Sequence, residues 1–284
     1  MPFSAPARDD IAGSGATPSN AQARTGFGKL WDWATSLLGT SGNASEARDA
    51  LGIGSAITCR NLLINSNFAI NQRAYVSGAA TATANKYTLD RWRVVTSGQN
   101  LTFGSASPDR IVTAPAGGLE QVIGGAAIEG GVYTLSWAGT ATATVNGTAI
   151  ANGGNTAALT AGANVTVRFT GGTVDKPQFE RGTKVTPYER RLPEMELDAC
   201  QRYGEPGQGE VSGNGPTGVE YAVRVTFKHT KRATPTITYA VVSSVNATVI
   251  DVTAVDANVA RMRVQPLAAG AFIGVASFFA ESEF

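Results

Sequence analysis

Residues of the types that catalyse reactions are few in this chain, and none lies in a catalytic pattern. The only histidine is His229, in FKHTKRATP, and neither a Gly-x-Ser-x-Gly turn nor a nearby cysteine accompanies it. The two cysteines, Cys59 and Cys200, are far apart and have no metal-ligand spacing around them. Asp251 and Asp256 lie close in sequence, but no calcium-loop pattern surrounds them. The sequence therefore predicts no catalytic residue, no metal site and no cofactor.

Cleavage of a surface polysaccharide would need two carboxylates facing each other across a groove. The chain has 22 Asp and Glu residues, yet no pair of them stands in a sequence context that indicates such a groove. The glycine-rich stretch GQGEVSGNG does not connect a strand to a helix, so it does not match a nucleotide-binding loop. We therefore expect a protein that is not an enzyme, with a polysaccharide depolymerase as the least favoured alternative.

Binding of a saccharide is easier to derive from the residues present, because exposed aromatic rings on β scaffolds stack on sugar faces. The candidate receptor-binding residues are Tyr203, Asn214, Tyr221, Arg224 and Tyr239. A plainer interpretation stands beside this one. Tyr221 and Tyr239 lie on apolar strand faces, which is typical of core residues, and Asn214 in a glycine-rich stretch is typical of a turn.

Composition narrows the classes of partner. The 284 residues include 33 glycines, carry 16% charged residues and have a net charge of +1, so nothing attracts a nucleic acid in bulk. No stretch reaches the ~20 apolar residues of a membrane span. The first residues, MPFSAPARDDIAGSG, lack the apolar region of a signal peptide. We expect synthesis in a cytoplasm, no membrane insertion, and two buried, reduced thiols.

The N-terminal segment, residues 1–60, predicts two short helices after a stretch of 26 residues that is expected to be disordered by itself. One helix is predicted in GKLWDWATSLLG, with Gly39 as its stop, and one in SGNASEARDALGIG. Both are shorter than the ~12–15 residues that an isolated helix needs. They are predicted to pack either on this chain or on another copy or protein. The candidate anchor residues are Leu30, Trp31, Trp33, Leu37 and Leu38.

From Asn61 onward, short alternating segments predict a mainly β chain with two antiparallel β-sandwich or jelly-roll-like domains. The clearest alternation is in YTLSW (133–137) and VTVRF (165–169), and the Asn-Gly pair at 146–147 predicts a hairpin. INSNFAINQR is also interpreted as strand. The predicted domains are residues 61–191 and residues 205–284.

Between these domains, residues 192–204 predict a linker helix that begins near Pro193. Phe179 and Tyr188 are expected to close one end of the first domain. The stretch after the helix, GEPGQGEVSGNGPTG, predicts a flexible loop. The charged residues before the helix are expected to face water; they are Glu180, Arg181, Glu189, Arg190 and Arg191.

Several segments resemble virion proteins of tailed bacteriophages. NLLINSNFAINQR followed by YTLDRW resembles the start of a module common in tail fibres, and QFERGTKVTPYERRLPEMELDACQRYG resembles its end and the hinge that follows. KRATPTITY and FFAESEF resemble the β tip, and ASEARDALGIG a short helical element before the fibre body. The residues that match the hinge pattern are Glu180, Gly182, Thr186, Pro187, Tyr188, Cys200, Gln201, Arg202 and Tyr203. Together these segments cover most of residues 43–284.

The resemblance implies a homotrimeric appendage of the phage particle. In it, residues 61–191 would resemble a carbohydrate-binding module, which either binds sugar or serves as a spacer, and residues 205–284 would be a C-terminal β tip. Its N-terminus would bind other virion proteins of the tail, baseplate or neck, and its C-terminal β domain would meet a glycan or protein on the host surface. It would be assembled in the host cytoplasm and located in the virion. The alternative is a purely architectural neck, collar or baseplate protein that binds no receptor.

Overall fold

The computed structural model describes residues 20–38, 60–105 and 108–284. The described chain is mainly β, with antiparallel pairing throughout its sheets and two α-helices, α1 (Asn20–Leu38) and α2 (Pro193–Gln201). The strands form two groups, one before α2 and one after it. We call these groups the first and the second β body.

The first β body has a six-stranded sheet of order β1-β2-β5-β10-β7-β8 and a five-stranded sheet of order β3-β4-β11-β6-β9. Its strands are β1 (Lys86–Tyr87), β2 (Arg93–Val94), β3 (Thr102–Phe103), β4 (Val112–Ala114), β5 (Leu119–Ile123), β6 (Tyr133–Ala138), β7 (Thr142–Val145), β8 (Thr148–Ile150), β9 (Gly154–Asn155), β10 (Val165–Thr170) and β11 (Gly172–Arg181).

The core of the first β body takes side chains from both sheets. Val165, Val167 and Phe169 of β10 are buried in it, and so are the alternating residues of β6 from Tyr133 to Trp137, as the period-2 pattern predicts. The Asn146–Gly147 hairpin is also confirmed. Both residues have positive φ (49° and 80°), which a two-residue type I′ turn requires, and Val145 pairs with Thr148.

The segment 61–73 is not a strand, so the prediction for INSNFAINQR is wrong. Asn65 and Phe68 both have φ of 54°, a left-handed conformation that does not fit a strand. The buried Asn65 side chain accepts from Ile70 N at 2.9 Å and donates to the carbonyl oxygens of Ile70 and Asp90, both at 2.9 Å. Side-chain amides here take over the backbone hydrogen bonds that a sheet would otherwise provide.

The second β body consists of two three-stranded sheets of order β12-β17-β14 and β13-β16-β15 around a core of their own. Its strands are β12 (Gly204–Gly215), β13 (Tyr221–Thr226), β14 (Thr236–Val245), β15 (Ala247–Ala254), β16 (Val259–Pro266) and β17 (Gly270–Glu281).

Strand β12 occupies most of the stretch predicted to be a flexible loop, so that prediction is wrong. It pairs with β17 over its full length, from Gly204 opposite Glu281 to Gly215 opposite Gly270. The glycines make room for large side chains: a Cβ on Gly207 would lie 2.3 Å from the ring of Phe278. Pro206 is tolerated because β12 is an edge strand. Burial of aromatic rings against bare backbone outweighs the turn preference of the sequence.

Helix α1 has 19 residues and begins at Asn20, which is longer than the short helix predicted. Residues 20–26, expected to be disordered, belong to it, and Ala21, Gln22 and Ala23 are good helix formers that extend it. It ends at Leu38, directly before the predicted stop at Gly39. The second predicted helix, in residues 41–54, and Cys59 lie outside the described residues.

Candidate functional site

Residues 177–204, which include α2, and the last four residues, 281–284, connect the two β bodies; we call them the joint. Helix α2 begins at Pro193, as predicted, and its Glu196 is buried. The Glu196 carboxylate accepts from the backbone N–H of Asn65 in the first β body and lies 3.4 Å from Arg191. Arg191 donates to the carbonyl oxygens of Leu63 and Asn61. The start of the helix is thereby attached to the first β body.

Most of the charged run before α2 does not face water, which corrects the prediction. Glu180 is buried and accepts from the backbone N–H of Thr186 at 3.0 Å and from its hydroxyl at 2.6 Å. Glu189 accepts from Asn61 N at 2.6 Å. Of the five charged residues predicted to face water, only Arg181 and Arg190 are exposed, and both still form ion pairs, with Glu129 and Asp109 respectively. The carboxylates satisfy backbone donors that the non-helical chain leaves unpaired.

Phe179 is fully buried in the first core, where its ring stacks on Tyr133 with centroids 5.1 Å apart. Tyr188 is half-buried, and its hydroxyl lies 2.9 Å from that of Ser66. Burial raises the pKa of Tyr188 above its ordinary value. These two rings therefore lie at the end of the first β body that the joint covers.

The last residues of the chain return from β17 to the first β body. The Glu283 side chain is only 3% exposed and pairs with Arg91, itself 1% exposed, and with Arg73 at 3.1 Å. The Phe284 main-chain oxygen accepts from Arg93 and from the Tyr87 hydroxyl, both at 3.2 Å. Two largely buried arginines and one buried carboxylate thus connect the bodies. Sequence reasoning missed these residues, because acid and base come from positions about 200 residues apart.

A second buried ion pair, Lys231 with Glu205, lies in the second β body next to the end of α2. Lys231 is buried and donates to the carboxylate of Glu205 and to the carbonyl oxygen of Gln201. Burial lowers the pKa of Lys231, and the Glu205 carboxylate opposes that shift. Because Gln201 ends α2 and Glu205 is the second residue of β12, this lysine fixes the direction in which the second β body leaves the helix.

The candidate receptor-binding residues do not converge on one site. Tyr203 lies in the joint with Arg91 stacked on its ring at 3.5 Å, and Tyr221 packs on Phe272 with centroids 4.8 Å apart. Asn214 and Arg224 are exposed on β12 and β13, in different sheets. Tyr239 on β14 is 41% exposed, and its hydroxyl donates to Ile250 O at 3.2 Å. Tyr203 is the one among them that also lines a sizeable cleft.

Strand β14 is an apolar edge strand with an unusual degree of exposure. It pairs with β17 on one side, and nine of its ten residues are exposed. Tyr239, Val241, Val242 and Val245 are its large exposed apolar side chains. A long, exposed, apolar edge strand promotes aggregation of a free monomer, because its unpaired N–H and C=O groups can pair with a strand of another chain and its apolar side chains can pack there.

Helix α1 carries the candidate virion anchors. Trp31 is 68% exposed and Phe27, four residues before it on the same face, is 72% exposed. Leu30 is 37% exposed and Trp33 is half-buried. Leu37 and Leu38 form the end of the helix. Two adjacent exposed aromatic rings are typical of a surface that another protein covers.

The residues considered for catalysis lie apart in the structure. His229 Nε2 is 3.0 Å from Asp198 at the surface, and Asp251 pairs with Arg263. Asp256 accepts backbone hydrogen bonds within its own turn. Cys200 is a free, buried thiol whose pKa is raised well above its ordinary value by burial. Within the described ranges, no three metal-ligating side chains come together.

In the part of the chain that the structure describes, no helix is both long and apolar enough to cross a membrane. No family model, curated protein or solved structure matches the chain.

Proposed function

We propose that this protein is an appendage of a tailed-bacteriophage particle, a homotrimeric tail fibre or receptor-binding protein. Its N-terminal segment would be held by other virion proteins, and its two β bodies, the first of them jelly-roll-like, would extend toward the host. The observation that carries the proposal is the structural role of the residues that resemble the phage hinge. Glu180, Thr186, Gln201 and Tyr203 are all part of the joint that holds the two bodies in series.

A joint of this kind suits a fibre, which has to keep its distal end at a fixed position relative to the particle. The buried pairs of Glu283 with Arg91 and Arg73, together with α2, connect the bodies, whereas a flexible linker would be exposed and rich in Gly, Ser or Pro. The connection is therefore expected to be rigid. A binding site on the distal body would then be presented at a defined distance from the virion.

The trimer is supported by β14 and α1. Both present apolar side chains to water in the single chain, and both would be covered by a second copy related by a closed rotational symmetry. Sedimentation equilibrium of the full chain at micromolar concentration is expected to give three times the 29.3 kDa of the monomer.

Variants on β14 test this assembly directly. Val242→Lys and Val245→Lys place charges on the exposed strand and are expected to reduce the mass toward that of the monomer. Val76→Lys is the matched control, because Val76 is exposed to a similar degree on the first β body. A wild-type chain that remains monomeric, or a control that dissociates as readily as the β14 variants, would refute the trimer as described.

Receptor binding is tested with the labelled full chain on a panel of bacterial strains. We expect saturable binding to one or a few strains and competition with the adsorption of phage that infect them. A folded trimer that binds none of the strains would contradict receptor binding and favour the architectural alternative, a neck, collar or baseplate protein. Release of reducing ends from host polysaccharide would instead identify a depolymerase.

A further inference from the structure

A cleft of about 420 Å³ opens where the first and second β bodies meet. Sites for small molecules have about 300–1,000 Å³, so the cleft is large enough for a sugar residue. Leu62, Ile64 and Ile123 give it an apolar wall on the first body. Three arginines and two aromatic residues line it as well; they are Arg91, Arg202, Arg232, Tyr203 and Phe284.

The charge inside the cleft is positive. Arg91 is neutralised by Glu283, but Arg232 bonds to the carbonyl oxygens of Ser282 at 2.8 Å and Glu283 at 2.6 Å. Arg202 is exposed, and its side chain has no ion pair with any carboxylate of the described residues. The lining residues include neither Asp nor Glu. Within the described residues, neither Arg202 nor Arg232 is therefore paired with an Asp or Glu side chain, which favours a negatively charged ligand.

Two of the three arginines, Arg91 and Arg232, are held in place before any ligand arrives. Arg91 stacks on the ring of Tyr203 at 3.5 Å and Arg232 on the ring of Phe284 at 4.2 Å. The two rings are themselves in contact, with centroids 6.1 Å apart. Cation–π stacking of this kind fixes the planar guanidinium groups, so little side-chain entropy is lost when a ligand binds.

Arg91 is itself fixed by hydrogen bonds. Its Nη1 donates to Glu283 and its Nη2 donates to the carbonyl oxygen of Val122. Asn164 also lines the cleft, and its Oδ1 accepts from Gly125 N at 2.8 Å, so its amide N–H groups can donate to a ligand.

We propose that this cleft binds a sugar that carries an anionic group, either a carboxylate or a phosphate. The arginines would bind the anion, and the apolar wall with the edges of Tyr203 and Phe284 would contact the ring. A bare inorganic anion would leave most of the cleft unfilled, and a neutral sugar would leave both arginines without a counter-ion. The choice of a sugar as the carrier rests on the proposed function, since charged sugars are exposed on bacterial surfaces.

The test is a titration of the full chain, monitored by NMR or calorimetry. The four probes are glucuronic acid, glucose 6-phosphate, glucose and inorganic phosphate. We expect the two charged sugars to bind, and glucose and phosphate alone to bind at least about tenfold more weakly, since each lacks one half of the contacts. Comparison of glucuronic acid with glucose 6-phosphate identifies which anion the site prefers. Added salt is expected to weaken binding of the charged sugars.

Arg202→Gln is the deciding variant, because the Arg202 side chain makes no bond that holds the fold. It is expected to weaken binding of the charged sugars about tenfold or more while the melting temperature stays unchanged. Arg261→Gln, at an exposed arginine of β16 outside the cleft, is the matched control and is expected to bind normally.

Equal affinity for glucose and glucuronic acid, phosphate binding as tight as that of the sugars, or an unchanged affinity in Arg202→Gln would each overturn the proposal. These measurements use neither cells nor phage. If the chain binds charged sugars but no bacterium, the proposed sugar site stands and the proposed receptor function fails. If the chain binds bacteria but none of the four probes, the receptor function stands and the proposed sugar site fails.

Discussion

Glu283 offers the sharpest test of the joint. The change is Glu283→Gln, which keeps the size of the side chain and removes its charge. Arg91 and Glu283 are 1% and 3% exposed, so the variant leaves a buried guanidinium without its counter-ion. Breaking a buried pair by removing one partner costs about 3–5 kcal/mol. Because glutamine still accepts a hydrogen bond, we expect the lower end, about 3 kcal/mol.

The control is Glu129→Gln. Its pair with Arg181 has the same chemistry, but the side chains are 71% and 49% exposed, and pairs of this kind contribute about 0–1 kcal/mol. The assay is differential scanning calorimetry of the full chain. At about 2–4 °C per kcal/mol, Glu283→Gln should lower the melting temperature by roughly 6–12 °C.

The shape of the calorimetric transition gives a second readout. The wild-type bodies, connected by the joint, are expected to melt together, and Glu283→Gln should separate the transition into two. High salt should diminish the small effect of Glu129→Gln and leave that of Glu283→Gln in place, since buried pairs are screened little. Equal shifts in the two variants, or a shift in Glu283→Gln that salt abolishes, would refute the argument that a buried pair holds the joint.

Three further predictions concern the β bodies and the helix between them. Gly207→Ala places a Cβ 2.3 Å from the Phe278 ring and is expected to lower the free energy of unfolding by about 1–3 kcal/mol in urea denaturation. Gly213→Ala, with its nearest atom at 3.3 Å, should cost less, and the reverse order would contradict the packing argument. Hydrogen bonds from Arg263 lower the pKa of Asp251, so this carboxylate stabilises the fold above its ordinary pKa of about 4, and the contribution is lost as the pH falls below that value. Asp251→Asn should therefore make stability fall less steeply in acid, and an unchanged pH profile of the melting temperature would be inconsistent with the pair. Burial raises the pKa of Cys200, so iodoacetamide at pH 8 should modify it only after unfolding, as peptide mass spectrometry would show. If iodoacetamide modified Cys200 in the native chain as fast as in the unfolded chain, α2 would have to open freely.

Local patterns in the sequence were sufficient for several elements. Alternation in YTLSW and VTVRF predicted two core strands, since the side-chain period of a strand is fixed by its backbone. The Asn-Gly turn at 146–147 and the start of α2 at Pro193 depend on backbone preferences of single residues, and both were predicted. The expectation that the protein is not an enzyme remains a prediction.

Elements that depend on distant partners were predicted incorrectly. β12 has the composition of a loop, and it forms a strand because β17 supplies twelve pairing residues and aromatic rings that need bare backbone. Residues 61–73 have strand-like composition, but the side chain of Asn65 satisfies backbone groups that a ladder would otherwise pair. In both cases contacts across the chain outweigh local propensity.

The candidate sites also differ in whether a local pattern or contacts between distant residues reveal them. The sequence by itself selected Tyr203 and Trp31 as candidates, because aromatic side chains can be noticed without knowing their neighbours, but it did not select the exposed Phe27. Only the tertiary structure brought Arg91, Arg202 and Arg232 to one cleft, since they come from the first body, the joint and the second body. Charge acts through space and has no periodicity along the chain. A site assembled at the meeting of two bodies therefore leaves no local signal in the sequence.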